Sequence, residues 1–148
     1  MLISYEMFIN DKGIARNWFN IEDEYSFVVN NFLSNSYNEN QYLDNKFLNI
    51  ALSIERYCKI KYQSENLSHF KKRIDFILER YENVLAQFFI PDENWSRKVT
   101  ETRHFIIHES VEEKYQEFIV RDHLELHNLL IQTTFLLKSI CFANKQIS

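Results

Sequence analysis

The amino-acid sequence predicts an all-α fold, a bundle of about five helices. Three observations carry this expectation. The 148 residues include one glycine and one proline, too few for the many chain reversals of an all-β protein. Apolar residues recur at i, i+3, i+4 and i+7 over several long stretches, which marks one face of a 3.6-residue repeat. Aromatic residues make up 16% of the chain and supply bulky groups for a packed core. The length is that of one domain and is sufficient to bury such a core.

Taken in order, residues 1–19 show no clear period. Phe8, Ile14, Trp18 and Phe19 are apolar anchors there, and Asp11-Lys12-Gly13 reads as a turn. The expectation is an N-terminal arm or junction over 1–19, followed by a helical domain over 20–148. A first helix is predicted over about 20–33, with Asn20 as N-cap and Tyr25, Val28, Val29 and Phe32 as its stripe. The polar segment 34–40 breaks it. A second helix over about 41–62 places Leu48, Ala51, Leu52, Glu55 and Cys58 close to one stripe. Glu55 then stands among apolar neighbours, where an unpaired charge is very costly; Arg56 and Arg73 are the candidate partners. A third helix over about 66–89 carries Phe70, Ile74, Ile77, Leu78, Tyr81, Leu85 and Phe88. Its basic run, Lys71, Lys72 and Arg73, fits a solvated face or a phosphate contact. Pro91 ends this helix, and Asp92 is the expected N-cap of a fourth over 92–108. The last helix, about 117–143, has the longest apolar stripe, from Leu126 and Leu129 through Leu137 to Ile140 and Cys141.

The formal charge of −4 argues against a general nucleic-acid coat protein and leaves room for a local basic cleft. Two cysteines, Cys58 and Cys141, do not make a disulfide framework and read as small buried groups in a reducing compartment. The N-terminal residues carry no signal-peptide pattern, and no apolar run approaches the roughly 20 residues of a membrane span. The expected location is the cytoplasm, with no membrane contact.

The chemistry-bearing stretch runs from Trp95 to His108, WSRKVTETRHFIIH. On an ideal helix Trp95, Val99, Thr102 and Ile106 form a core stripe, while Arg97, Glu101, His104 and His108 form a polar stripe opposite. Arg103 lies on the flank of the apolar face, about 140° around the helix from His108. The two meet only if the helix frays near His108, if the arginine reaches around, or if a second chain supplies the partner.

Arg103, a polar residue at 104, three apolar residues and His108 resemble the R-[polar]-x-x-x-H signature of HEPN domains. The stretch 42–62, with Asn45, Phe47, Leu48 and Glu55, resembles the second-helix signature of the Apea-like HEPN group, and the leucine-rich last helix also fits. The resemblance covers about residues 20–143. It departs from the usual pattern at His104, where asparagine is common. It implies a HEPN-like helical bundle that forms a homodimer and acts as a metal-independent endoribonuclease, without a cofactor. RNA is the implied partner, in a toxin–antitoxin or anti-phage defence setting with an antitoxin or an associated defence partner. On this reading Arg103, His104 and His108 are catalytic and Glu55 is supporting. RNA cleavage without metal needs a base for the ribose 2′-hydroxyl, a cation for the phosphorane charge and an acid for the leaving oxygen. Imidazole suits the proton transfers, and a guanidinium fork matches phosphate oxygens.

Two alternatives stay open at this stage. A catalytically silent HEPN module would serve dimerisation or partner binding. A metal-binding helical bundle would use the two His-x-x-x-His pairs, His104 with His108 and His123 with His127, together with Glu101; a second Glu-x-x-His and the rest of a di-iron carboxylate set are missing from the sequence.

Overall fold

The computed structural model describes residues 42–147, with side chains through Ile140. The arm over 1–19, the first helix over 20–33 and the loop 34–40 lie outside the described residues, as does the Cys141 side chain. Within the described residues the chain is an all-helical bundle with no strand. It comprises α1 (Leu43–Lys61), α2 (Phe70–Arg80), the single turn α3 (Glu82–Leu85), α4 (Trp95–His108) and α5 (His123–Ile147), with 3₁₀ turns at Gln63–Glu65 and Glu113–Phe118. No helix among the described residues is long and apolar enough to cross a membrane.

The apolar face of α1 is Phe47, Ile50, Ala51, Ile54, Tyr57 and Cys58, all buried. This face is rotated from the expected stripe. Leu52 is 37% exposed, and Glu55 stands at the edge rather than in the middle. Among the described residues the two long helices α1 and α5 make the most extensive packing, and Phe47 and Ile54 are fully buried in the core cluster they share with α5. The apolar partners from α5 are Leu129, Leu136, Leu137 and Ile140, buried as the sequence period requires. Burying each such side chain contributes roughly 1.5–3 kcal/mol.

After α1 the chain turns through Asn66, which adopts the left-handed conformation at φ 52°, a place asparagine tolerates better than most residues. The third predicted helix is divided. The backbone leaves α geometry at Tyr81 (φ −108°, ψ 18°), where the Tyr81 hydroxyl meets those of Tyr62 at 2.7 Å and Tyr57 at 3.3 Å. This buried phenol cluster ties α1 to the break between α2 and α3. Burial, together with the hydrogen bond to Tyr81, pushes the Tyr62 hydroxyl up to about 12.

The fourth helix begins at Trp95, later than expected. Asn94 is its N-cap and makes no side-chain cap. The Asp92 carboxylate instead accepts a hydrogen bond from the Asn94 amide at 2.8 Å, so Asp92 shapes the turn before the helix. Trp95, Val99 and Thr102 face the core and Ile106 packs at its edge, as the spacing predicts. Trp95 Nε1 donates to Gln132 Oε1 of α5 at 2.8 Å. Thr102 Oγ1 accepts from the Val120 amide at 2.9 Å, which fastens the segment before α5 onto α4.

Candidate active site

The site is built from Glu55 on α1, Phe70 at the start of α2, and the second half of α4. Glu55 is the meeting point of three cations. Arg103 Nη2 donates to Glu55 Oε2 at 2.6 Å, Arg73 Nη1 to Oε1 at 3.4 Å, and Lys59 Nζ lies 3.3 Å from Oε1. The side chains of Glu55, Arg103 and Arg73 are only 13%, 19% and 15% exposed. Arg73 was an expected partner of Glu55. Lys59 follows Glu55 by four residues, the ordinary helical ion-pair spacing, so it too was legible in the sequence. The contact to Arg103 spans 48 residues and no local pattern announces it.

The guanidinium of Arg103 also lies over the Phe70 ring, 4.5 Å from its centre, a cation–π arrangement. Its Nε is buried and makes no hydrogen bond among the described residues. Two contacts therefore fix the arginine on the side of α4 that faces α1 and α2.

His104 and His108 stand on a different face. Both are exposed, and their ring centres are 4.6 Å apart with 48° between the planes. The helix continues intact to His108, where Glu109 caps it with φ 56° and its amide donates to Phe105 O at 2.7 Å. The last turn of α4 is closed, so fraying does not bring Arg103 and His108 together. Arg103 also does not reach around to the histidine; it reaches to Glu55.

No protein-family model matches the sequence, and no curated protein or solved structure matches it.

The remaining polar residues of α4 behave differently from the expected stripe. Glu101 is buried, 6% exposed, and accepts from Arg97 Nη1 at 3.1 Å. The reason is the 3₁₀ turn Glu113–Phe118, which packs on α4; Arg97 lies under that segment, 4.4 Å from the Tyr115 ring centre. Arg121 similarly covers Phe105 at 4.7 Å. His123 and His127 are exposed on the first turns of α5. Among the described residues no three His, Cys, Asp or Glu side chains converge as metal ligands would, so the two histidine pairs do not form the four-ligand site that the sequence left open.

Chemically, the arrangement offers a fixed guanidinium on one side of α4 and two solvent-facing imidazoles one turn apart on another. Among the described residues, three cations face the single carboxylate of Glu55. This surplus of positive charge gives a local field that the acidic chain as a whole does not have.

Proposed function

We propose that this chain is a metal-independent endoribonuclease in which Arg103, His104 and His108 act across a homodimer. The observation that carries the reading is the pairing of an anchored Arg103 with the exposed His104–His108 pair on the same helix. In the proposed reaction one imidazole takes the proton of the ribose 2′-hydroxyl. The 2′-oxygen bonds to phosphorus, and the bond from phosphorus to the 5′-oxygen breaks. The second proton transfer, to the departing 5′-oxygen, comes from an imidazolium. Arg103 faces the phosphorane oxygens, where a permanent planar cation stabilises developing charge. The products are a 2′,3′-cyclic phosphate and a 5′-hydroxyl.

Within one chain Arg103 and His108 diverge, and the intact last turn of α4 keeps them apart. A two-fold axis beside α4 would set each Arg103 near the partner's His108. Glu55 then has a supporting role: it holds the arginine in one place before substrate arrives. The resemblance to Apea-like HEPN domains supplies the proposed setting, toxin–antitoxin or anti-phage defence in the cytoplasm, with an antitoxin or an associated protein as partner.

A second reading has its own observation. The charge of Arg103 is already met by Glu55 at 2.6 Å, which is how a structural arginine behaves, and this favours a catalytically silent dimerisation module.

One experiment separates the two. Purified protein is incubated with RNA in EDTA, alongside Arg103→Ala, His108→Ala and a mixture of the two variants. The ribonuclease reading expects cleavage that resists EDTA, cyclic phosphate ends, and no cutting at a 2′-deoxy position. It expects each variant to be inactive and their mixed dimers to regain part of the activity. Intact RNA in the wild-type lane selects the silent module. Mixed dimers that form by native mass spectrometry yet stay inactive remove the shared site.

A further inference from the structure

We infer that His104 and His108 form a bidentate site for a divalent transition metal of the Cu²⁺, Ni²⁺ or Zn²⁺ kind. The two imidazoles are separated by four residues on an unbroken helix and lie on one face. Their ring centres are 4.6 Å apart. A metal bound at about 2.1 Å to one nitrogen of each ring would hold the centres about 4.5–5 Å apart, so little rearrangement is required. The 48° angle between the planes lets a nitrogen from each ring turn towards one point. Both rings are exposed, so water completes the coordination shell and the metal enters without opening the core.

The surroundings favour a dication. The segment from Glu109 to Glu125, which begins directly after His108, carries six carboxylates against Lys114 and Arg121. Its 3₁₀ turn packs on α4, so the net charge of the segment beside the helix is negative, although Arg121 itself lies over Phe105. Glu101, at the position that would otherwise compete for a third ligand, is taken by Arg97. His123 and His127 share the same sequence spacing on α5, yet no ring contact links them among the described residues. They serve as an internal control.

Imidazole ligands favour the late first-row metals, in the order that peaks at Cu²⁺, and discriminate against Mg²⁺ and Ca²⁺. A metal shared by His104 and His108 also staples the last turn of α4, so binding registers as thermal stability. Occupancy uses the nitrogen lone pairs that proton transfer needs. Metal therefore inhibits RNA cleavage, a consequence that rests on the ribonuclease reading; the binding itself does not.

The test is titration of the full chain with CuCl₂, ZnCl₂ or MgCl₂ alone, followed by calorimetry and by thermal unfolding. The expected result is one Cu²⁺ per chain, weaker Zn²⁺, no Mg²⁺, and a rise in Tm of a few degrees at about one hundred times Kd. His104→Ala and His108→Ala each weaken Cu²⁺ binding at least about tenfold, whereas His123→Ala and His127→Ala leave it unchanged. Both rings of the pair are exposed, so their variants keep the fold, which circular dichroism checks. Absence of Cu²⁺ binding to the wild type, or undiminished binding in His104→Ala, overturns the site. If metal binds and RNA stays intact without it, the ribonuclease reading fails and the metal site stands.

Discussion

Replacing Glu55 by glutamine removes one negative charge and almost no volume. Its consequence follows from the three cations it serves. Two of them, Arg103 and Arg73, are less than a fifth exposed and would keep their charge with no other carboxylate paired to them among the described residues. At about 4 Å, each such pair is worth roughly 4 kcal/mol of attraction at an effective dielectric of about 20, before desolvation is counted. Removing one member of a buried pair costs about 3–5 kcal/mol, because the other charge is left behind. The remaining exposure lowers this, and glutamine keeps one oxygen as an acceptor, so about 2–3 kcal/mol is expected. Lys59, 53% exposed, adds little. For a domain of this size that is a fall in Tm of roughly 6–10 °C. Urea unfolding monitored by circular dichroism measures it, with the denaturant slope unchanged if the unfolded state is unaffected. The double variant with Arg103→Ala sharpens the test. Removing the arginine removes the stranded charge, so the double variant should be more stable than the sum of the singles by at least about 1 kcal/mol. A Glu55→Gln protein within about 0.5 kcal/mol of wild type, or strict additivity, would refute the reasoning.

Other outcomes follow from local geometry. Glu109 holds φ 56° at the end of α4, a conformation in which a side chain is disfavoured; Glu109→Gly should gain about 0.5–1 kcal/mol, seen as a higher midpoint in urea, and a loss would show that the left-handed cap is not the governing feature. Burial pushes the Cys58 thiol up to about 12, against a smaller opposing effect of Arg73. In a Cys141→Ser background, Cys58 should therefore resist a thiol reagent at pH 8 until the protein unfolds, and rapid native labelling would contradict its burial. The same group links stability to alkaline pH. The unfolded thiol loses its proton near 9.0 and the folded one near 12, so the contribution is intact below pH 9 and declines as pH rises from 9 to 12; Cys58→Ala should flatten that decline.

The sequence by itself determined the helical class, because one glycine, one proline and a 3.6-residue apolar period are local properties. It also placed the core face of α4 correctly, through Trp95, Val99 and Thr102, and the apolar stripe of α5. The exposure of His104 and His108 follows from the same period, as does the need of Glu55 for a cation. Tertiary structure decided the rest. The apolar positions of α1 allow two neighbouring faces, one through Leu48 and Leu52 and one through Phe47, Ile50 and Ile54. Packing against the other helices, α5 most extensively among the described residues, chooses the second, and that choice moves Glu55 to the rim. Glu101 has the period of a solvent-facing residue, yet the 3₁₀ turn that follows the helix covers it. Tyr81 fits a continuous helix until its hydroxyl meets those of Tyr57 and Tyr62. Arg103 illustrates the limit most plainly. Its flank position is set by residue spacing, but its partners are Glu55, 48 residues earlier, and Phe70. Periodicity fixes which way a side chain leaves its own helix; what it meets there depends on how helices distant in sequence pack, and that is settled by the fit of their whole surfaces.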